Sequence, residues 1–355
     1  MNDTLFQQLR KDAREKRVPI GGQFELTPRC TLDCKMCYVH LSHEQMNQKE
    51  ELSTSEWIKI IDDALKNGLL FSLLTGGECM LHSGFKEIYE HLHQIGVFVT
   101  VNTNGFVLSE QNFELLKSIP PRGVNISLYG ASEEAYERVT GFRAFERVMN
   151  NVRRLRDAGI NVSISITPST YMLDDVVNII QLCMQERLKY NISYSLIDAR
   201  LGTGRSIEDY GLTAEEEVSL REAVRRCTGQ KIYNQGQTFS PPNRCGSETI
   251  CRGIECNAGR GSFVVTWDGV MHPCFRITDI GASLKESTFV DAWRMISTAA
   301  NDIIVPYECE LCSAKKSCNP CHLMRADLNE PQHCNSDMCK RTLLRIRKGL
   351  VKYPK

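Results

Sequence analysis

Three thiols, Cys30, Cys34 and Cys37, stand on one short stretch with three and then two residues between them. A closed structural zinc site and an ordinary ferredoxin cluster each take four protein ligands, so a lone triad on a loop points to an iron–sulfur cluster with one open iron. An open metal position is where a substrate or cofactor binds. One repeat further on, Leu74-Thr75-Gly76-Gly77-Glu78 follows a hydrophobic run. Its two glycines permit close backbone approach to a ligand, and the Glu78 carboxylate can accept from an ammonium. A second set of thiols runs Cys251, Cys256, Cys274, Cys309, Cys312, Cys318, Cys321, Cys334 and Cys339, with Cys245 ahead of it. Four-cysteine zinc knuckles use similar spacings and are the alternative to iron–sulfur for this set.

The rest of the composition says where such chemistry would happen. Lys plus Arg and Asp plus Glu both number 43 in a chain of 355 residues, so no net field draws it to nucleic acid or to an anionic membrane. No run approaches the roughly 18 apolar residues of a membrane helix. The first residues, MNDTLFQQLRKDAREKR, are polar and mixed in charge, unlike a signal peptide. A cytoplasmic protein is expected, and disulfides do not persist there, which leaves metal as the reason for 16 cysteines. Thirteen of the 16 fall between Cys30 and Cys37 or between Cys245 and Cys339; Cys79, Cys183 and Cys227 are isolated, and an isolated cysteine is ordinarily a small buried hydrophobe.

Stepping from thiols to the elements that must hold them, residues 23–200 alternate short β-branched runs with amphipathic stretches. Strands are expected at Gln23–Thr27, Leu70–Leu74, Val97–Val101, Gly123–Leu128, Asn161–Thr167 and Ile192–Ile197, and helices at Thr54–Lys66, Gly84–Gln94, Glu133–Ala158 and Leu173–Arg187. Six βα repeats imply an α/β fold with a parallel sheet, whose chemistry lies in the loops after the strands. Both the triad and Gly76-Gly77-Glu78 fall there. The expected organisation is an N-terminal extension (1–22), a core (23–200), a linker with one helix near Ala214–Arg226 (201–250), and a small cysteine-rich module (251–355). That module holds a hairpin, Ser262–Thr266 and Val270–Pro273, turning at Asp268-Gly269.

The triad followed by Gly-Gly-Glu closely resembles the radical S-adenosylmethionine (SAM) superfamily, over residues 23 to about 200. The resemblance implies a partial (β/α)6 TIM-like barrel in which Cys30, Cys34 and Cys37 hold a 4Fe–4S cluster and Gly76, Gly77 and Glu78 bind the SAM amino group. It also implies roles at the SAM site for Asn104, in the loop after the third strand, and for Ser127 as a ribose contact. Two positions depart from the family. Met36 stands where an aromatic precedes the third cysteine, leaving backbone contacts to adenine and possible compensation by Tyr38; Cys79 replaces a proline, and its thiol would lie where it could give hydrogen to a substrate radical. An arginine that pairs with the SAM carboxylate would be Arg138 or Arg143.

The later cysteines resemble the SPASM extension of radical SAM enzymes that mature peptides, a small iron–sulfur domain with two auxiliary 4Fe–4S clusters. Carried over residue by residue, the interleaved order gives Cys251, Cys256, Cys274 and Cys321 to one cluster and Cys309, Cys312, Cys318 and Cys339 to the other. Cys245 competes with Cys251, and Cys334 with Cys339. The last gap, Cys318 to Cys321, holds two residues where the extension usually has three. The resemblance thus implies an oxidoreductase of ribosomally made peptides with SAM and three clusters as cofactors. A 5′-deoxyadenosyl radical would abstract hydrogen, leading to a thioether or carbon–carbon crosslink or a related oxidation; epimerisation is a further outcome. Partners would be a precursor peptide and an electron donor such as flavodoxin or ferredoxin. Residues 1–22 leave no room for an N-terminal leader-binding domain, so the core with residues 198–249, or a separate leader-binding protein, would take that role. Formylglycine formation of the sulfatase-maturase type is the alternative, but its aspartate base directly after an auxiliary cysteine is missing, because Phe275 and Arg276 follow Cys274. An electron-transfer protein would have no use for Gly76-Gly77-Glu78.

Overall fold

The structure, a computed structural model, describes residues 3–39, 41, 43–46, 50–200, 206–231, 233, 251–319, 321–327 and 329–353. Six strands, β1 (Gly21–Glu25), β2 (Phe71–Thr75), β3 (Phe98–Thr103), β4 (Gly123–Ser127), β5 (Val162–Ile166) and β6 (Lys189–Ile192), pair in parallel in chain order. Between them run helices at Thr54–Lys66, Phe85–Gln94, Glu110–Ser118, Phe145–Asp157 and Val176–Gln185, giving the expected α/β alternation. Local signals start these helices: Ser53 and Glu56 form a reciprocal capping box, and Ser109 and Ser132 accept from backbone N–H groups of the helices they precede.

Each strand has two faces, and the residues differ sharply between them. Toward the helices point fully buried Phe24, Leu74, Val99, Val101, Val124, Ile126 and Ile164, with Phe24 edge-on to Trp57. The opposite face carries Gln23 and Glu25, Thr75, Asn102, Asn125, Ser163 and Ser165, and the Asn125 amide donates to Asn102 Oδ1 at 2.8 Å. A barrel interior packed for stability is filled by branched aliphatics. This inner face is polar and suited to holding a ligand.

Several expectations shift. The sixth strand lies at Lys189–Ile192, overlapping the expected Ile192–Ile197 in one residue, because the Cys183–Leu188 turn ends the preceding helix early. The long helix expected over Glu133–Ala158 breaks at Gly141, whose φ of 76° closes Glu133–Thr140 before Phe145–Asp157 begins. Residues 1–22 are not a separate extension: Asp3–Lys16 is a helix, and Phe6 packs edge-on against Phe71 of β2 at 5.2 Å.

The largest correction concerns the module boundary. Short β7 (Cys251–Arg252) is followed by the hairpin β8 (Ser262–Val265) and β9 (Val270–His272), and β8 pairs in parallel with β1. The sheet of the described residues thus has nine strands, ordered β10-β9-β8-β1-β2-β3-β4-β5-β6, with β10 at Ala282–Ser283. The first compact unit comprises 1–211 and 257–298, the second 212–256 and 299–355. Within the second, the helix Ala214–Thr228, expected inside a linker, packs on Ser336–Arg347, and β7 pairs with β11 (Ile304–Val305). Buried Glu217 pairs with Arg221 of its own helix at 2.7 Å and joins the two helices through Arg341 at 2.8 Å. Most of 232–250, Cys245 included, lies outside the described residues.

Candidate active site

The loop after β1 is held from several sides. Asp33 and Lys35 N–H groups donate to the carbonyls of Thr140 and Val139 at the end of the Glu133–Thr140 helix, each at 3.0 Å, and Cys37 N–H closes a turn onto Cys34. The three thiols differ in exposure: Cys30 is open, Cys34 buried and Cys37 between. Burial pushes the Cys34 thiol well up, and the charges of Cys37 and Cys30 push it further. Three thiols this close on one loop are a set that a shared cationic cluster stabilises as thiolates. Donors reach the sulfurs too: Asn104 Nδ2 lies 3.4 Å from Cys30 Sγ, and Tyr129 hydrogen bonds Cys34. Such contacts to ligand sulfur orient the ligands and tune a cluster, so the residues present fit an iron–sulfur group. Among the described residues no three His, Cys, Asp or Glu side chains close in on a single-ion site.

The Gly76-Gly77-Glu78 loop packs directly on this one. A Cβ on Gly76 would meet Thr27 O at 2.4 Å, and one on Gly77 would meet Arg29 O at 2.4 Å. The close backbone approach expected toward a ligand is therefore made to residues 27–29, where Gly77 and Glu78 N–H groups donate to Thr27 O and Arg29 O at 2.8 and 2.7 Å. Glu78 is fully buried, with Oε2 accepting from Thr103 Oγ1 at 2.8 Å and Asn104 N at 2.9 Å. Burial raises its pKa, and those hydrogen bonds partly offset the rise. Glu78 thus ties the β2 loop to the β3 loop, whose Asn104 in turn reaches Cys30 and Thr31.

The remaining expected residues distribute as follows. Met36 is buried and Ser127 half-buried on the inner face of β4. Tyr38 packs against Phe275 with ring centroids 5.7 Å apart. Cys79 is fully buried and its thiol donates to Asn102 O at 3.4 Å, which suits a packing role. Cys183 is buried in its helix. Arg143 is spent on exposed pairs with Glu134 and Glu137, and Arg138 Nε donates to Tyr171 O. Sequence reasoning missed Thr103 and Tyr129; Thr103 stands beside Asn104 at the end of β3, and Tyr129 follows Ser127 by two.

In the second unit, Cys309, Cys312, Cys318, Cys334 and Cys339 line one cavity together with Lys315 and Arg325. Cys309 and Cys334 sulfurs are 3.3 Å apart, and the hydrogen bond from Cys334 brings Cys339 down to about 7 and lowers Cys309 too. Five thiols converging on one cavity beside Lys315 and Arg325 fit a metal cluster. Cys334 and Cys339 both face this cavity. The other expected set is divided, with Cys274 in the first unit and Cys251, Cys256 and Cys321 in the second.

Residues 24–183 match the model of the Radical SAM superfamily. The sporulation killing factor maturation protein SkfB of Bacillus subtilis is 27% identical over 208 residues, 58% of this chain and 50% of that one. The antilisterial bacteriocin subtilosin biosynthesis protein AlbA of the same organism is 27% identical over 264 residues, 74% of this chain and 56% of that one. The chain thus spans about half the length of these curated relatives. Among solved structures, Streptococcus suis SuiB bound to S-adenosylmethionine superposes with a TM-score of 0.69 at 15% identity, covering 96% of this chain and 83% of that one, so the fold is shared. Among the described residues, no helix is long and apolar enough to cross a membrane.

Proposed function

We propose that this chain, whose residues 24–183 form a radical SAM domain, oxidises a ribosomally made precursor peptide and leaves a crosslink in it. The observation that carries the reading is the triad loop: three thiols within one turn of chain, with Asn104 and Tyr129 hydrogen-bonded to sulfur and Glu78 tying the adjacent loops together. Cys30, Cys34 and Cys37 would hold the catalytic cluster, which with SAM bound supplies a 5′-deoxyadenosyl radical able to take hydrogen from an unactivated carbon. Gly76, Gly77, Glu78, Met36, Tyr38, Asn104 and Ser127 would position SAM there. The polar inner face of β3–β5 suits the amides of a peptide main chain, and the buried outer face keeps the wall rigid. Cys309, Cys312, Cys318 and Cys339, or Cys334 in place of the last, would hold one auxiliary cluster; for a second, the order of Cys251, Cys256, Cys274 and Cys321 along the sequence is what supports it. These would take the second electron of the oxidation, and a flavodoxin or ferredoxin would give the electron that reduces the catalytic cluster.

SkfB and AlbA are by name a maturation and a biosynthesis protein of peptide products, and SuiB is also known bound to the precursor peptide SuiA, which supports a peptide substrate. Formylglycine formation is disfavoured because Phe275 and Arg276 follow Cys274, and the Arg276 guanidinium donates to the Ser195 and Leu196 carbonyls. High-resolution mass spectrometry of a co-expressed precursor peptide tests the reading. The product should be lighter by about two mass units per crosslink, since two hydrogens leave. Unchanged mass with deuterium uptake from heavy water would instead mean epimerisation, and formylglycine would reinstate the maturase alternative.

A further inference from the structure

Glu25, at the end of β1, lies one loop before the triad and on the polar inner face, its side chain 1% exposed. Its two oxygens accept from Arg200 Nη1 and Nη2 at 2.7 and 2.6 Å, and Gln23 Nε2 approaches Oε1 at 3.2 Å. Arg200 stands beyond β6, at the far end of the parallel array, and β1 and β6 are not paired with each other. A forked, two-bond pair fixes geometry as well as charge. The same arginine grips the end of the triad loop twice. Its backbone N–H donates to Tyr38 O at 3.1 Å, and its guanidinium lies 4.7 Å from the centre of the Tyr38 ring. Tyr38 is bonded to Cys37. Its ring also rests on Phe275, and Arg276 donates to carbonyls at Ser195 and Leu196 of the same segment that carries Arg200. Arg200 Nε is buried without an acceptor among the described residues, a cost that a fold keeps where a group serves a site rather than packing alone.

We propose that Arg200 is a positioning residue: its forked pair with Glu25 fixes Tyr38, and through it Cys37, at the mouth of the barrel. The inference rests on the reading of Cys30, Cys34 and Cys37 as the catalytic ligands and deepens it. Arg200 touches neither cluster nor SAM in this account; it sets where the Cys37 end of the loop lies, and a small misplacement there costs much in a reaction that depends on alignment. The segment 195–200 then joins the triad loop and the Cys274 loop in one unit, which no sequence spacing would show.

The test uses the reconstituted full chain and three variants, Arg200→Gln, Arg200→Lys and the double Glu25→Gln/Arg200→Met. The double variant removes both charges together, so no buried ion is left unpaired. Iron per chain should match the wild type in all three. SAM affinity should fall roughly tenfold in Arg200→Gln and in the double variant, with a smaller loss in Arg200→Lys, which keeps charge but not the fork. The change that SAM makes in the electron paramagnetic resonance spectrum of the reduced catalytic cluster should weaken in parallel. Wild-type SAM affinity and spectrum in the double variant would overturn the proposal. Full restoration by lysine would overturn the role of the fork, and loss of iron together with SAM binding in the double variant would show that the pair only holds the fold. None of these readouts uses a peptide, so a wild type that cleaves SAM yet leaves every peptide unchanged would sink the proposed substrate and leave this inference standing.

Discussion

The two regions rich in cysteine are built in opposite ways. At the triad, three thiols within eight residues sit on one loop, braced by Thr140 and Val139 from the end of one helix, by Asn104 and Tyr129 from neighbouring loops, and by Arg200 at Tyr38. At the C-terminal cavity, five thiols arrive from separate short segments, two of them with sulfurs 3.3 Å apart, and one more than a four-iron cluster needs. The first arrangement is braced by hydrogen bonds from the elements around it. In the second, the thiols converge on one cavity from short elements, Glu308–Leu311 and Ser336–Arg347 among them.

Gly77→Ala breaks the comparison most forcibly on the triad side. The added Cβ would lie 2.4 Å from Arg29 O and 2.5 Å from Pro28 O, both backbone, so the β1 loop must move. A cost of about 2 kcal/mol and loss of roughly one third of the iron are expected, read by thermal unfolding and iron analysis. In the C-terminal cavity the corresponding single change should act on one cluster alone. Cys339→Ala and Cys334→Ala are expected to differ: one should lose roughly four of about twelve irons, and the other should keep them. Equal losses, or none from either, would mean that the five thiols do not form a four-ligand site with one spare.

A smaller effect follows from Glu217, which braces the second unit. Burial alone would raise its pKa, but Arg221 and Arg341 outweigh burial and hold it below the ordinary 4.5. A carboxylate with a lowered folded pKa contributes stability above its unfolded value, and loses it as pH falls through the folded one. Unfolding of the second unit followed by tyrosine absorbance should therefore become easier as pH drops below about 4.5, and Glu217→Gln should flatten that dependence.

Most of the parallel array and its triad loop could be read in the sequence because period, glycine and thiol spacing are local signals. Gly76-Gly77-Glu78 and the triad follow β2 and β1 as expected. What was illegible is long-range. Nothing in Ser262–Val265 says that it will pair in parallel with β1, since a hairpin signal fixes only its antiparallel partner. Glu78 looked like a free acceptor because the Thr103 and Asn104 donors lie 25 and 26 residues away. Glu25 looked like an ordinary strand residue, and its partner Arg200 stands 175 residues on. The break at Gly141 was readable in principle, as a glycine after the last turn of an amphipathic pattern, and was overrun by the pattern that resumes at Phe145.

The central claim is that only the Cys30, Cys34 and Cys37 loop leaves a metal position open for SAM. It is tested most directly by anaerobic reconstitution of the wild type and of the Cys30→Ala/Cys34→Ala/Cys37→Ala variant, followed by incubation with dithionite and SAM. The wild type should hold about twelve irons and release 5′-deoxyadenosine, whereas the variant should keep roughly two-thirds of the iron and release none. Cleavage of SAM by the triple variant, or zinc in place of iron among its remaining cysteines, would contradict the account.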